Sequence, residues 1–304
     1  MKHSDPRLSG VGYGLLAALI WSGHTTASSF GLRAGLNPYD LVSLRILVGA
    51  LLLLPLLWRY AATFRQLGWW RLLVLCCAAG APFSLINISG LQYAPVAHSG
   101  VLSLGLVPLF ALILNWLWLR RRPSPRAFAG LAVMLAGLGL FASGAASQPL
   151  GEQFWLGELA FCTSALLWAT YAVCAARWQV PALPGVAITC IGSLPLLPLL
   201  YWISPWPADV AAGQWLFQGF YQGLLVAVVA VFAYGRSVIR LGPEKGALFS
   251  ALAPGGAALA ALLLLAQPVV LLQWAGIGLV SLGMIVALRA PAAPPPQSES
   301  VRQA

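Results

Sequence analysis

Residues 91–140, LQYAPVAHSGVLSLGLVPLFALILNWLWLRRRPSPRAFAGLAVMLAGLGL, decide how this chain is read. Residues 239–288, IRLGPEKGALFSALAPGGAALAALLLLAQPVVLLQWAGIGLVSLGMIVAL, repeat them in looser form. In the first copy a Tyr-Ala-Pro turn ends at Pro95, followed by Pro108, Gly130 and Gly137; in the second a Leu-Gly-Pro turn ends at Pro243, followed by Pro254, Gly276 and Gly283. From the second proline the two glycines follow at the same intervals in both copies, 22 and then 7 residues, while the proline-to-proline interval is 13 in one and 11 in the other. Outward from these stretches the pairing continues. Gly10 and Ala18-Leu19-Ile20-Trp21 correspond to Gly157 and Ala165-Leu166-Leu167-Trp168, and every offset falls between 146 and 148 residues. A fixed offset over most of the chain means two homologous halves.

Composition identifies the solvent. Hydrophobic residues make up 60% of the chain and charged residues 8%, against about 45–50% and about 25% in soluble domains. The chain therefore reads as a membrane protein of many spans. The net charge of +10 would suggest nucleic acid in a soluble chain, but here the arginines flank apolar runs, where they act as topology signals. No nucleic-acid partner is expected. Cys76, Cys77, Cys162, Cys174 and Cys190 all fall inside apolar segments with no metal-ligand spacing, and they read as buried small hydrophobes.

Ten apolar runs are long enough to cross a bilayer. They begin with Ser9 to about Gly31 and continue at about 41–58, 71–91, 97–119, 127–143, 155–176, 184–203, 214–236, 245–266 and 270–288. The predicted fold is all-α, ten transmembrane helices as two five-helix repeats at 10–143 and 155–288, with a cytoplasmic tail at 1–9 and a disordered cytoplasmic tail at 289–304. An amino terminus placed inside leaves fifteen of the seventeen basic residues on the cytoplasmic side, with Arg33 and Arg45 outside. Both termini are thus expected in the cytoplasm. Because each half has an odd number of spans, the halves must insert upside down relative to each other, and inverted repeats are the mark of secondary transporters.

The duplicated Ala-Leu-(Ile/Leu)-Trp signature, the Ala-Pro or Gly-Pro turn before the fourth span of each half, and the spaced glycines of the fifth resemble the EamA family of the drug/metabolite transporter superfamily. The resemblance covers about Gly10 to Leu288. It implies a central cavity lined chiefly by the first, third and fourth helices of each half, and export of amino acids, metabolites or toxic compounds across the bacterial inner membrane. It does not fix a substrate.

Helical spacing supplies the cavity candidates. Gly10, Gly14, Ala17, Trp21, His24 and Ser28 recur at three or four residues along the first span, as Gly157, Phe161, Ser164, Trp168, Tyr171 and Ala175 do along the sixth. The small residues suit close helix approach. Trp21, His24, Trp168 and Tyr171 are candidates to meet a substrate, with packing or interfacial roles as the plainer reading. Ser84 and Asn87 share a face of the third span and offer neutral hydrogen-bonding groups. His24 and His98 are the candidates for carrying a coupled proton, since histidine titrates near neutral pH; the plainer reading is a neutral, hydrogen-bonded ring. Pro108 and Pro254 are expected to break the fourth helix of each half, for gating or as ordinary kinks.

The remaining polar residues are given plainer expectations. Gln218 and Gln222 are expected to be solvated at the cavity mouth; Arg45 could attract a carboxylate, but the plainer reading is that it reaches the outer interface; and Glu158 and Glu244 are expected to serve as helix-start carboxylates. Ser103 does not share the His98 stripe. No acidic cluster, His-Glu zinc constellation or phosphate-binding glycine loop is present in the sequence, so no enzyme activity, cofactor or metal is expected. The reading that results is a secondary transporter working by alternating access. Its partners are a small-molecule substrate and the bilayer, with room for a homodimer through the glycine-rich fifth helices. The substrate is expected to be a small amphipathic metabolite such as an amino acid, moved outward by proton exchange. The alternatives are drugs, nucleosides or lipid carriers, or a membrane sensor or scaffold that does not transport.

Overall fold

The structure is a computed structural model that describes residues 6–118, 120, 124–148, 151–242, 245–246 and 248–288. Lys2, Arg121, Arg122, Pro243, Glu244 and the tail at 289–304 lie outside the described residues. Among the described residues ten helical rods follow one another: α1 (Pro6–Arg33), α2 (Pro38–Leu53), α3 (Trp69–Gly90), α4 (Val96–Leu117) and α5 (Pro125–Ala145) in the first half, and α6 (Phe154–Arg177), α7 (Ala182–Ile203), α8 (Ala212–Leu241), α9 (Leu248–Leu265) and α10 (Leu271–Leu288) in the second. Two short helices, Pro55–Arg59 and Ala61–Leu67, connect α2 to α3. Seven of the rods, α3 to α9, are each at least 18 residues long and apolar enough to cross a membrane. Large apolar side chains such as Leu19, Leu51, Leu159, Leu216 and Leu263 project from the outside of the bundle, as a lipid-facing surface requires.

Local sequence explains where the rods start and bend. Asn37 caps α2: its side-chain oxygen accepts from the Tyr39 and Asp40 amides at 2.8 and 3.1 Å, and Asp40 Oδ2 accepts from the Asn37 amide at 2.8 Å. With Pro38 at the first helical position, this capping box starts the helix three residues before the expected boundary. Ser124 caps α5 in the same manner, accepting from Ala127 N at 3.2 Å ahead of Pro125. In α3 the chain breaks at Gly80, whose backbone (φ −91°, ψ −139°) interrupts the helix before Pro82. The Ala81 amide freed by that break donates to Ser193 Oγ at 3.1 Å, and Ser193 Oγ donates onward to Thr189 O at 2.6 Å. A Cβ at Gly80 would collide with the Cys76 carbonyl and the same Ser193 hydroxyl, so this junction between α3 and α7 admits only glycine.

The fourth helices of the two halves are irregular at equivalent places. In α4 a π-helical turn at Gly100–Leu104 precedes Pro108, and in α9 a 3-10 turn at Leu248–Leu252 precedes Pro254, each proline standing in the first turn of a regular segment. A π-helical stretch at Gly219–Val229 also widens α8. Such irregular backbone persists at membrane depth where neighbouring helices cover it.

Packing follows the repeat. Helix α1 lies against α8 and α9, as α6 lies against α3 and α4, and α2 and α7 meet each other. Exchanging each helix for its counterpart five positions later leaves this neighbour pattern unchanged. The most extensive contact joins α5 to α10, and there the four glycines of the repeat face each other in crossed pairs. A Cβ on Gly137 would lie 2.8 Å from the Gly276 carbonyl oxygen, and one on Gly130 would lie 2.7 Å from that of Gly283. Because Gly130 is the counterpart of Gly276 and Gly137 that of Gly283, the repeat symmetry maps the first pair onto the second. The glycine stripe that suggested a dimer surface is therefore filled inside one chain. A cluster of Val101, Met134, Phe141, Ile277, Val280 and Met284 seals this side of the core.

Candidate functional site

A constricted cavity of about 30 Å³ lies where the halves meet, room for a water molecule or two. Its walls come from α1 (Trp21), α2 (Arg45, Ile46), α3 (Ala79, Gly80, Ser84), α6 (Trp168, Tyr171), α7 (Val186, Thr189, Cys190) and α8 (Val226, Ala227, Val231). These are the first, second and third helices of each half. The resemblance implied the fourth helices in place of the second, but α4 and α9, packed mainly against α6 and α1, contribute no residue to this lining. The break at Gly80 ties α3 to α7 beside the cavity, which draws α7 into the wall.

The repeat places Trp21 and Trp168 on equivalent walls. The Trp21 ring packs against Tyr234 at 5.4 Å between centroids, and Trp168 against both Phe83 and Tyr171 at 5.3 Å. Ser84 and Tyr171 are in the same lining. Arg45 is there too, where an interfacial position was expected. The helix begins at Pro38, so Arg45 sits two turns deep, and its side chain lines the cavity within electrostatic reach of His24 and Cys190. No ion pair or hydrogen bond holds it among the described residues. A charge in a span costs about 2.5–3.5 kcal/mol on insertion scales, which is why such residues face a partner or a polar cavity.

His24, Asn87 and His98 lie outside the lining, each in its own polar cluster. His24 sits with Ser28, Gln218 and Gln222 between α1 and α8. There Gln218 Nε2 donates to Ala27 O at 2.7 Å, Gln222 Nε2 donates to Ser28 Oγ at 2.9 Å, and Ser28 Oγ donates to His24 O at 2.9 Å. Both glutamines are fully buried, which corrects their expected place at a solvated mouth. They fasten the α1–α8 contact. Asn87 donates to Ser103 Oγ at 2.7 Å and to Ser164 Oγ at 3.0 Å, and the two hydroxyls lie 3.0 Å apart. This buried triad joins α3, α4 and α6, and the π-helical turn of α4 is what brings Ser103 to it.

His98 is 1% exposed and fixed on all sides. Its Nδ1 is 2.8 Å from Glu158 Oε1, its Nε2 is 3.4 Å from Gln273 Nε2, and its ring meets Phe141 and Phe154 edge-on. Glu158 is thus a hydrogen-bond partner of the imidazole, not merely a helix-start carboxylate. The Gln273 amide orientation is fixed, because its Oε1 accepts from the Val270 amide at 3.0 Å and from Gln148 Nε2 at 3.1 Å. Its NH2 therefore faces His98 as a donor, and His98 Nε2 must accept. The arrangement fits the neutral ring with its proton on Nδ1, donated to Glu158. A second proton on Nε2 would oppose the Gln273 donor and loosen the α4–α10 contact.

Pro108 and Pro254 lie at the helix irregularities described above, away from the lining. The free cysteines divide: Cys174 and Cys190 are buried as expected, whereas Cys77 is exposed on the outer surface of α3. Sequence reasoning missed Arg45, Thr189 and Cys190 in the cavity and Gln273 beside His98. The Asn37-Pro38 start with Asp40 three residues after the cap was a legible signal for Arg45, since it sets the helix start and hence the depth of the arginine. No comparable signal marks Thr189, Cys190 or Gln273, whose roles depend on how α7 and α10 lie against other helices.

The family model described as the EamA-like transporter family matches residues 8–143 and 155–289, one match in each half. The uncharacterized transporter YwfM of Bacillus subtilis (strain 168) is 22% identical over 281 residues, spanning 91% of this chain and 93% of its own. A crystal structure of a protein 22% identical to this chain aligns with a TM-score of 0.62, covering 92% of this chain and 97% of the other, and shares the fold. With both halves matched and the ten rods arranged as an inverted repeat, this multi-pass membrane protein belongs to the EamA-like transporter family.

Proposed function

We propose that the chain is a secondary transporter that exports small amphipathic metabolites such as amino acids by alternating access, driven by proton exchange. The observation that carries this reading is the central cavity enclosed by equivalent helices of two inverted halves, with equivalent tryptophans on its walls. A site at such an interface opens to either side when the two halves exchange conformations. In this reading Trp21, Ser84, Trp168 and Tyr171 line the substrate path, and His24 and Asn87 adjoin it. The turns at Pro108 and Pro254 act as hinges. His98 carries the coupled proton, because its second protonation sets Nε2 against Gln273 and weakens a contact between the halves. In this reading both ends of the chain lie on the cytoplasmic side of a bacterial inner membrane, which the basic connections support.

The test is uptake of labelled amino acids, nucleosides and cationic drugs into proteoliposomes, with and without an imposed pH gradient. Saturable uptake of one class, accelerated by the gradient and uncoupled from it in His98→Ala or His24→Ala, is the expected result. Uptake indifferent to the gradient and to both substitutions contradicts proton exchange. Specific ligand binding without flux contradicts transport and favours a sensor.

A further inference from the structure

We propose that Arg45 is the anchor for a carboxylate, so that the cavity, widened as the halves part, takes small monocarboxylates with an apolar or aromatic body. This rests on the reading of the same cavity as a substrate site and narrows its substrate class. Four observations point to it. First, Arg45 lines the cavity from the middle of α2, too deep for its charge to be explained by a nearby helix end. Second, every described acidic residue is engaged or placed elsewhere. Asp40 belongs to the α2 cap, Glu158 pairs with His98, and Glu152 and Asp209 are exposed. Third, other arginines are supplied with partners by the fold, and Arg45 is not: Arg71 lies over Trp70 and Trp178, Arg236 over Phe232, and Arg240 over Tyr13 while donating to Ser9. Fourth, the walls beside Arg45 present Trp21 and Trp168, with the hydroxyls of Tyr171 and Thr189.

A planar guanidinium with free donors pairs bidentately with a carboxylate. Aromatic walls receive an apolar body and leave the charged end to the arginine. One cation without a second matches one negative charge, which selects a carboxylate over a doubly charged phosphate monoester. The bound anion would supply the counter-charge that the protein withholds, so occupation of the site favours the conformation enclosing both.

The test uses the full chain in lipid nanodiscs and titration calorimetry with four probes that share a phenyl group: 3-phenylpropionate, 3-phenyl-1-propanol, phenethylamine and phenyl phosphate, each corrected against empty discs. The expected result is saturable binding of 3-phenylpropionate about tenfold or more tighter than the alcohol, the change that a hydrogen bond to a charged group brings, with weaker binding of phenyl phosphate and none of the amine. Arg45→Gln should erase the preference for carboxylate over alcohol, and Arg45→Lys should retain part of it. Equal binding of acid and alcohol by the unaltered protein, tighter binding of phenyl phosphate, or a carboxylate preference that survives in well-folded Arg45→Gln would each overturn the proposal. If Arg45→Gln does not fold, the unaltered protein and Arg45→Lys still decide, because a preference unchanged by lysine contradicts a bidentate anchor. Proteoliposome flux separates this inference from the transport reading. Arg45-dependent binding of 3-phenylpropionate without flux contradicts transport alone, whereas saturable flux of a non-carboxylate with no binding of the acid contradicts the anchor alone.

Discussion

Three polar groups inside the bundle differ in what holds them, and that difference separates structure from function at the residue scale. Asn87, Ser103 and Ser164 hydrogen-bond one another across three helices, so their role is to join helices. Interhelical hydrogen bonds in membranes contribute about 0.6 kcal/mol on average and up to about 1.7 kcal/mol. Asn87→Ala is therefore expected to lower the thermal unfolding midpoint in detergent by a few degrees while leaving substrate affinity unchanged. A loss of affinity at unchanged stability would move Asn87 into the binding site. The His98, Glu158 and Gln273 chain is different, because one further proton breaks its hydrogen-bond logic. Glu158→Gln is expected to remove the dependence of uptake on a pH gradient, since a neutral amide cannot balance an imidazolium in a buried site. Uptake with undiminished gradient dependence in that variant would exclude this pair from coupling. Arg45 is the opposite case, a charge that the described protein leaves unmatched.

Among the elements, α5 and α10 make the most extensive contact, whereas the proposed transport cycle requires the cavity helices to move. Two crossed glycine pairs bring the α5 and α10 backbones together with no room for a methyl group, which suits a static contact. Gly137→Leu or Gly283→Leu is expected to destabilise the protein by at least about 1–3 kcal/mol, the usual cost of overpacking, visible as loss of the monodisperse peak in size-exclusion chromatography. Gly139→Leu is the control and should be tolerated, because nothing lies within 4 Å of a Cβ there. Equal tolerance of all three substitutions would contradict the packing described. Irregular backbone falls in α3, α7 and α8, which line the cavity, and in α4 and α9, which pack against the cavity helices α6 and α1. Pro108→Ala is accordingly expected to slow uptake with little change in affinity, and a change in affinity alone would contradict a hinge at that position.

For the whole molecule, the repeat was the most legible feature, because Pro108, Gly130, Gly137 and their counterparts keep their spacing when most other residues have changed. That spacing implied the two halves, and the apolar runs gave the ten rods to within a few residues. The pairing of Gly130 with Gly283 and of Gly137 with Gly276 was hidden, since the alignment of the copies matches the glycines differently from the way they touch. Side-chain direction was hidden for the same reason. The stripes on α1 and α6 located Trp21 and Trp168 in the wall, but whether Arg45 faced lipid headgroups or the cavity depended on where α2 began, and whether α4 or α7 completed the wall depended on the Ser193 contact to the break at Gly80. Gln218 and Gln222 looked like mouth residues because polarity near a span end usually means water, and here the small residues of α1 allow α8 close enough to bury them.

The central claim, that the cavity between the halves opens alternately to the two sides of the membrane, is tested most directly at Cys190, the native thiol in its wall. With Cys76, Cys77, Cys162 and Cys174 replaced by alanine, a small hydrophilic methanethiosulfonate reagent is applied to right-side-out and to inside-out vesicles, with and without a transported compound. Modification of Cys190 from both sides, slowed from both by that compound, is the result this account predicts. Modification from one side only, or at a rate indifferent to the compound, would contradict it.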